Sequence, residues 1–202
     1  MRNTSWSGLV AVFFCWVTIA IASAQTLTTL HSFNDSDGVL PKASLMQGSD
    51  GNLYGTATEG GSKDRGTVFK VTPSGTLTVL HSFCSDDDCA DGFDPRATLV
   101  EGADGSLYGT TLEGGGKVSA GTIFKITPGG KLTTLYRFCA EFQCPDGELP
   151  SGLVQGSDGS FYGTTQGGGP PDSGAVYDGT VFKINSTGAF STVYTFFCSR
   201  SS

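Results

Sequence analysis

Four carboxylates crowd one short stretch of this chain: Asp86, Asp87 and Asp88, followed by Asp91. Clustered carboxylate oxygens are the hard ligands that calcium takes, so these four are the candidate metal site and calcium the candidate ion. Asp35-Ser36-Asp37-Gly38 is a smaller version. No EF-hand spacing with a closing Glu accompanies either cluster, and Asp-Gly is also ordinary turn chemistry. The corresponding later loop carries Glu141-Phe142-Gln143 in place of the acids. No other cofactor is indicated. The acids lie in and beside a loop between Cys84 and Cys89, and Cys139 and Cys144 enclose an equal loop further on. In an exported protein this reads as two local disulfides, Cys84–Cys89 and Cys139–Cys144, with zinc as the competing reading. Cys198 is left over.

Nothing in the chain assembles a reaction centre. Serines are many, but no nucleophile elbow of the GxSxG type occurs. Gly114-Gly115-Gly116 and Gly167-Gly168-Gly169 lack the strand–loop–helix setting of phosphate loops. No carboxylate pair is placed by spacing across a sugar bond, so no catalytic residue is assigned. His31 and His81 share one repeat position with Tyr136 and Tyr194 and read as half-buried packing aromatics. Lys70, Lys125 and Lys183 recur in the same way and read as snorkelling or pairing with an acid. Glu59 and Glu113 are matched by Gln166, so a fixed Lys–Glu pair is excluded. Unit-specific aromatics are different. Phe93, Phe142 and Tyr177 lie in stretches that vary between units, which makes them the candidate ligand contacts, of the kind a glycan uses.

The elements that must position these residues repeat. Leu53-Tyr54-Gly55-Thr56 returns at Leu107–Thr110 and Phe161–Thr164, each 54 residues on. Gly66–Lys70 returns at Gly121–Lys125 and Gly179–Lys183, and Leu27–Phe33 returns at Leu77, Leu132 and, more loosely, Phe190. A fourth block couples Asp37-Gly38 to Pro41, Asp91-Gly92 to Pro95 and Asp146-Gly147 to Pro150. Every block is short, alternating and rich in β-branched and aromatic residues, with turn residues between blocks. Ser49-Asp50-Gly51-Asn52 and its copies are hairpin signals, and Thr72-Pro73-Ser74-Gly75 another short turn. In Leu77–Phe83 strict alternation puts the odd-numbered residues on one face. Each unit is therefore about four antiparallel strands, which cannot cover both of its apolar faces and must stack on neighbours. Gly55, Gly109 and Gly163 are expected to let backbones approach closely near a central axis.

Residues 1–24 read as a cleaved leader: Arg2, an apolar run from Leu9 to Ile21, then Ala22-Ser23-Ala24. That run is too short to span a bilayer, and no second one follows, so the protein is expected to be exported and not embedded in a membrane. The formal net charge is −7, which argues against nucleic acid and anionic membranes as partners. Both tryptophans, Trp6 and Trp16, fall in the leader.

These linked motifs resemble those of the bacterial GloVer-type tandem-repeat proteins, whose pattern runs LYGTT, GG, GTVFK, LYSF, DG and P. The resemblance covers Thr26 to about Phe197. It implies an exported or surface-displayed, propeller-like repeat protein and no assigned activity. The absence of Trp from the repeats breaks the kelch and WD40 patterns. The expected class is thus all-β, with a single repeat domain over residues 25–202: a partial unit 26–52, units 53–106 and 107–160, and a partial unit 161–202. Counted by blocks, there are two strands before Leu53, four in each complete unit and three from Phe161 onward. Such a count does not close a propeller and leaves open sheet edges, through which self-association is expected. The expected partner is an extracellular glycan or protein. The competing expectations are a polysaccharide-acting lyase or hydrolase on a propeller, and a truncated array with no ligand of its own.

Overall fold

The computed structural model describes residues 27–141, 143–169 and 176–198. The leader, Phe142 and the side chains of Tyr177 and Cys198 lie outside what is described. Among the described residues there is no helix, and none is long and apolar enough to cross a membrane. Twelve strands form three sheets, each a four-stranded antiparallel meander in chain order. The first sheet is β1 (Met46–Gln47), β2 (Leu53–Ala57), β3 (Thr67–Val71) and β4 (Leu77–Ser82). The second is β5 (Val100–Glu101), β6 (Leu107–Thr111), β7 (Thr122–Ile126) and β8 (Leu132–Arg137). The third is β9 (Glu148–Gln155), β10 (Phe161–Gly167), β11 (Val176–Ile184) and β12 (Phe190–Cys198).

Each sheet begins one strand ahead of its LYGT block. The Ser49–Asn52 turn joins β1 to β2, with the Gly51 N–H donating to Gly48 O at 2.9 Å. Leu27–Phe33 is the one expected strand that is not a strand. Its copies are outermost strands that pair with a GTVFK strand before them, and no described strand stands in that position here. An unpaired extended segment has no ladder to complete.

The sheets stack face to face, as two-faced apolar meanders must. Tyr54, Val68 and Phe83 of the first sheet bury against Leu107, Phe124 and Ile126 of the second. Tyr108, Ile123 and Phe138 of the second bury in the same way against Phe161, Phe182 and Ile184 of the third. The architecture is a propeller-like array of three blades. Strict alternation along Leu77–Phe83 fails at one place. The pairing of β3 with β4 shifts register between Val68 and Phe69, which partner His81 and Val79 and leave Leu80 as the extra residue. Leu77 packs with Phe69 and Val71 of its own sheet, whereas Phe83, which strict alternation would put on the same face as Leu77, joins Leu80 at the junction with the second sheet. The same shift recurs between Ile123 and Phe124 and between Val181 and Phe182. A bulge of this kind lets one strand feed both faces.

The glycine of each LYGT block makes room for a side chain. Gly55, Gly109 and Gly163 lie directly opposite Phe69, Phe124 and Phe182. A Cβ on Gly109 would meet Phe124 Cζ at 2.6 Å and Leu99 Cδ2 at 2.8 Å. The expected close approach of backbones holds only for Gly163, where the Gly152 carbonyl also crowds the site.

Candidate functional site

The recurring acids and bases are structural ties. In each unit the aspartate of the β1–β2 type turn accepts a hydrogen bond from the LYGT tyrosine: Tyr54 to Asp50 at 2.7 Å, Tyr108 to Asp104 at 2.9 Å, Tyr162 to Asp158 at 3.0 Å. The GTVFK lysine stands across the ladder from that tyrosine. Lys125 reaches Asp104 at 2.6 Å and Lys183 reaches Asp158 at 2.8 Å. The acid that pairs with these lysines is thus the hairpin aspartate. The residue that aligns with Glu59 and Glu113 is Gly167, not Gln166, because Val39 pairs Glu59, Phe93 pairs Glu113 and Glu148 pairs Gly167.

These ties move the titrations. Burial pushes the Asp104 carboxyl up, but hydrogen bonds from Lys125, the Ser106 N–H and Tyr108 outweigh it and hold it at about 2. The hydrogen bond from Lys183 is the main cause holding Asp158 low. Burial first, then the bond to the ionised Asp50, pushes Tyr54 up to about 12. A depressed carboxyl contributes stability that is present above its ordinary value of 3.8 and lost as pH falls through the folded value. A raised phenol contributes stability that is present below 10 and lost as pH rises through the folded value. The melting temperature is therefore expected to drop as pH falls from 3.8 towards about 2. In alkali, phenolate absorbance should develop late, with Tyr54 titrating towards about 12 and Tyr136, raised by burial first and then by its bond to Asp146, later still. A melting temperature unchanged across the acid window would show that the Asp–Lys–Tyr ties contribute nothing.

The four candidate calcium ligands do not converge. Asp86, Asp87 and Asp88 are exposed, whereas Asp91 is buried and already occupied. Its carboxylate lies 2.8 Å from His81 Nε2 and accepts from the Cys84 N–H at 3.0 Å and the Ser85 hydroxyl at 3.2 Å. Burial raises the Asp91 carboxyl, yet the bond to His81 and its charge, with the backbone N–H groups, bring it below its ordinary value. Asp86 accepts from the Ala90 N–H at 2.9 Å. Among the described residues, the one group of three ligand atoms within 4.8 Å of one another is Cys139, Cys144 and Glu148. Both pairs of cysteines are disulfides, Cys84–Cys89 and Cys139–Cys144, so neither pair offers thiolates to zinc.

Asp91 belongs to a device that the residues alone did not reveal. Asp37 holds His31 at 2.9 Å and accepts from the Asn34 N–H at 2.7 Å. Asp146 accepts from the Tyr136 hydroxyl at 2.8 Å and the Cys139 N–H at 3.1 Å. In every case the Asp-Gly loop ahead of one sheet clasps the outer segment that comes before it. The glycine lies against the next sheet: a Cβ on Gly92 would meet Thr111 Oγ1 at 2.1 Å and Thr122 Oγ1 at 2.7 Å. His31, His81 and Tyr136 are therefore hydrogen-bonding staples as well as packing aromatics. The readable signal was that an Asp-Gly follows each of them within ten residues.

What remains unit-specific gathers around Phe93. A cleft of about 210 Å³ opens where loops of the first two sheets meet, lined by Glu59, Arg65, Phe93, Asp94, Arg96 and Glu113 among others. Phe93 is half-buried and held by a two-way backbone bridge with Glu113. The Arg65 guanidinium lies 4.8 Å from the centre of its ring, a cation–π distance. Arg96 forks onto both oxygens of Asp94. Asp94 has φ 57, but Leu40 and Leu149, which also precede a proline, have φ 56 each. This backbone strain is a property of the repeat and marks no site. Of the other two candidate contacts, Phe142 lies outside the described residues, and Tyr177 is placed only by its backbone, which pairs with Phe197.

No curated protein matches the chain. Among solved structures it is similar to an X-ray structure described as "the putative gluconolactonase in protein family", with 15% identity and a TM-score of 0.47 over 75% of this chain. It spans 48% of that chain, and the likeness says nothing of activity. The sequence matches the Gloeobacter/Verrucomicrobia repeat over residues 16–202. With three copies of the Asp–Tyr tie, two of them joined by the lysine, and three each of the Asp-Gly staple and the Gly–Phe pair on a common frame, the chain belongs to the Gloeobacter/Verrucomicrobia repeat family.

Proposed function

We propose that this protein is an exported repeat scaffold that binds an extracellular glycan or protein through its variable loops, with the Phe93 cleft as its contact. The supporting observation is the make-up of that cleft. A unit-specific aromatic ring, a guanidinium on its face and carboxylates on its rim combine an apolar platform with hydrogen-bonding groups, which favours a sugar. The two-way backbone bridge between Phe93 and Glu113 ties the two loops of the cleft together, which lowers the ordering cost at binding. Two disulfides are compatible with an oxidising compartment outside the cytoplasm, and the leader-like start of the chain supports the same reading. The recurring acids are engaged in ties, which leaves the unit-specific groups of the cleft as the contact surface.

Binding should be screened on glycan and protein arrays, then measured by calorimetry for the best ligand. Phe93→Ala is expected to weaken that ligand about tenfold, the worth of one lost ring contact of about 1.4 kcal/mol. Arg65→Ala should weaken it in the same direction with the fold intact. Silence across both arrays, or a ligand indifferent to both substitutions, would overturn the proposal.

A further inference from the structure

The chain shows its own blade-to-blade interface twice. Tyr54, Val68, Leu80 and Phe83 cover Leu107, Phe124, Ile126 and Leu132, and Tyr108, Ile123, Leu135 and Phe138 cover Phe161, Phe182, Ile184 and Phe190. The third sheet repeats the covering face with Tyr162, Val181, Val193 and Phe196, and that face is open. Phe196 is 45% exposed and Val193 57%, against 0% and 2% for Phe83 and Phe138 at the equivalent place. Tyr194, 56% exposed, stands where His31, His81 and Tyr136 each hold an Asp-Gly aspartate. The first sheet repeats the covered face with Leu53, Phe69, Val71 and Leu77.

Leu27–Phe33 lies on that covered face and imitates a fourth strand. Phe33 meets Phe69 edge-on at 4.9 Å, as Phe83 meets Phe124 at 5.2 Å. The Leu30 carbonyl crowds Gly75 as the Leu80 carbonyl crowds Gly130. His31 holds Asp37 as His81 holds Asp91. The imitation is half complete. No described residue supplies the counterparts of Tyr54 and Val68, and an apolar cavity of about 260 Å³ remains, lined by Leu30, Phe33, Leu45, Leu53, Phe69 and Val71. The segment makes no strand ladder, whereas β12 is paired along its length with β11.

We propose that Leu27–Phe33 is an internal plug on a docking face whose occupant is the third sheet of a second copy of this chain. The incoming β12 replaces the plug residue for residue, Val193 for Leu30, Tyr194 for His31 and Phe196 for Phe33. Tyr162 and Val181 then fill the cavity that the plug leaves. Such an interface is heterologous, so it closes only as a ring, and two copies supply six blades, inside the range of about four to eight for propellers. Association runs through sheet faces and not through the sheet edges that the strand count suggested. It is independent of the Phe93 cleft.

The purified chain and a variant lacking residues 27–33 should be compared by light scattering and sedimentation velocity over a concentration series. Removing the plug is expected to lower the concentration for half-dimerisation by about tenfold or more. Tyr194→Asp with Phe196→Asp should return the plug-less protein to monomer, and an LTTLHSF peptide should compete with its association. If the deletion does not fold, Leu30→Ser with Phe33→Ser loosens the plug in place and is read in the same way. A folded plug-less protein that stays monomeric overturns the proposal, as does association that survives the two aspartates.

Discussion

Phe124→Ala is expected to destabilise the protein by about 3–5 kcal/mol, the range for truncating a fully buried phenylalanine. Phe124 is fully buried at the first blade junction, with Phe83 edge-on at 5.2 Å and Tyr54, Leu99 and Leu107 in the same cluster. Its loss opens a cavity in the apolar junction through which the first two sheets pack, so denaturant unfolding should broaden as the blades uncouple. Phe69→Ala, at the same position of the first sheet, should cost less, because one side of Phe69 already borders the 260 Å³ cavity. Gly109→Ala should cost about 1–3 kcal/mol, since its methyl would press into the Phe124 ring. Combining Gly109→Ala with Phe124→Ala should cost less than the two separately, because the added methyl then occupies vacated space. Urea unfolding of the four variants measures this. Simple additivity would show that the glycine serves something other than the ring.

The frame of this fold was legible because each block carries its own period and its own turn. Leu53–Thr56 and Gly66–Lys70 alternate, glycine and aspartate punctuate them, and the 54-residue recurrence of Leu53–Thr56 shows one solution used three times, with the loops before Gly121 and Gly179 absorbing the differences in length. The disulfides were legible for the same reason: two cysteine pairs of equal spacing stand at equivalent positions. What a ladder decides in three dimensions was not legible. Gly109 and Phe124 both recur, but only the register sets them opposite each other. The bulge at Leu80 depends on how β3 and β4 settle, and it sends Phe83 to the face opposite to the one alternation predicts. Leu27–Phe33 reads as a strand by pattern alone, because pattern is silent on whether a partner stands beside it. Phe93 stood out as unit-specific. Arg65 did not, since its contact crosses from one sheet's loop to the next. The acids around Asp91 show the same limit of a one-dimensional pattern. A run of like residues in sequence suggests one site, yet the chain turns three outward and one inward.

Asp91→Ala is expected to cost roughly 3 kcal/mol, because it leaves donors around a buried charge without their acceptor. The His81 ring, the Cys84 N–H and the Ser85 hydroxyl all lose their partner at once. Two of these donors sit at the entry to the Cys84–Cys89 loop, so that loop should gain amide exchange while the Cys139–Cys144 loop, held by Asp146, keeps its protection. Asp91→Asn should fall between wild type and alanine, since an amide oxygen still accepts but carries no charge. The acid dependence changes with it. The ionised Asp91 contributes stability that is present above 3.8 and lost as pH falls, so the variant's deficit should be largest near neutrality and shrink in acid. Calcium separates this staple from a metal site built on the same residues. A staple predicts that the chelator EDTA leaves the wild-type melting temperature unchanged while Asp91→Ala lowers it. A metal site predicts that calcium raises the wild-type value and that Asp86→Asn, Asp87→Asn and Asp88→Asn abolish the increment. The placement of Asp91, buried and bonded to His81 with the other three acids turned to solvent, favours the first outcome.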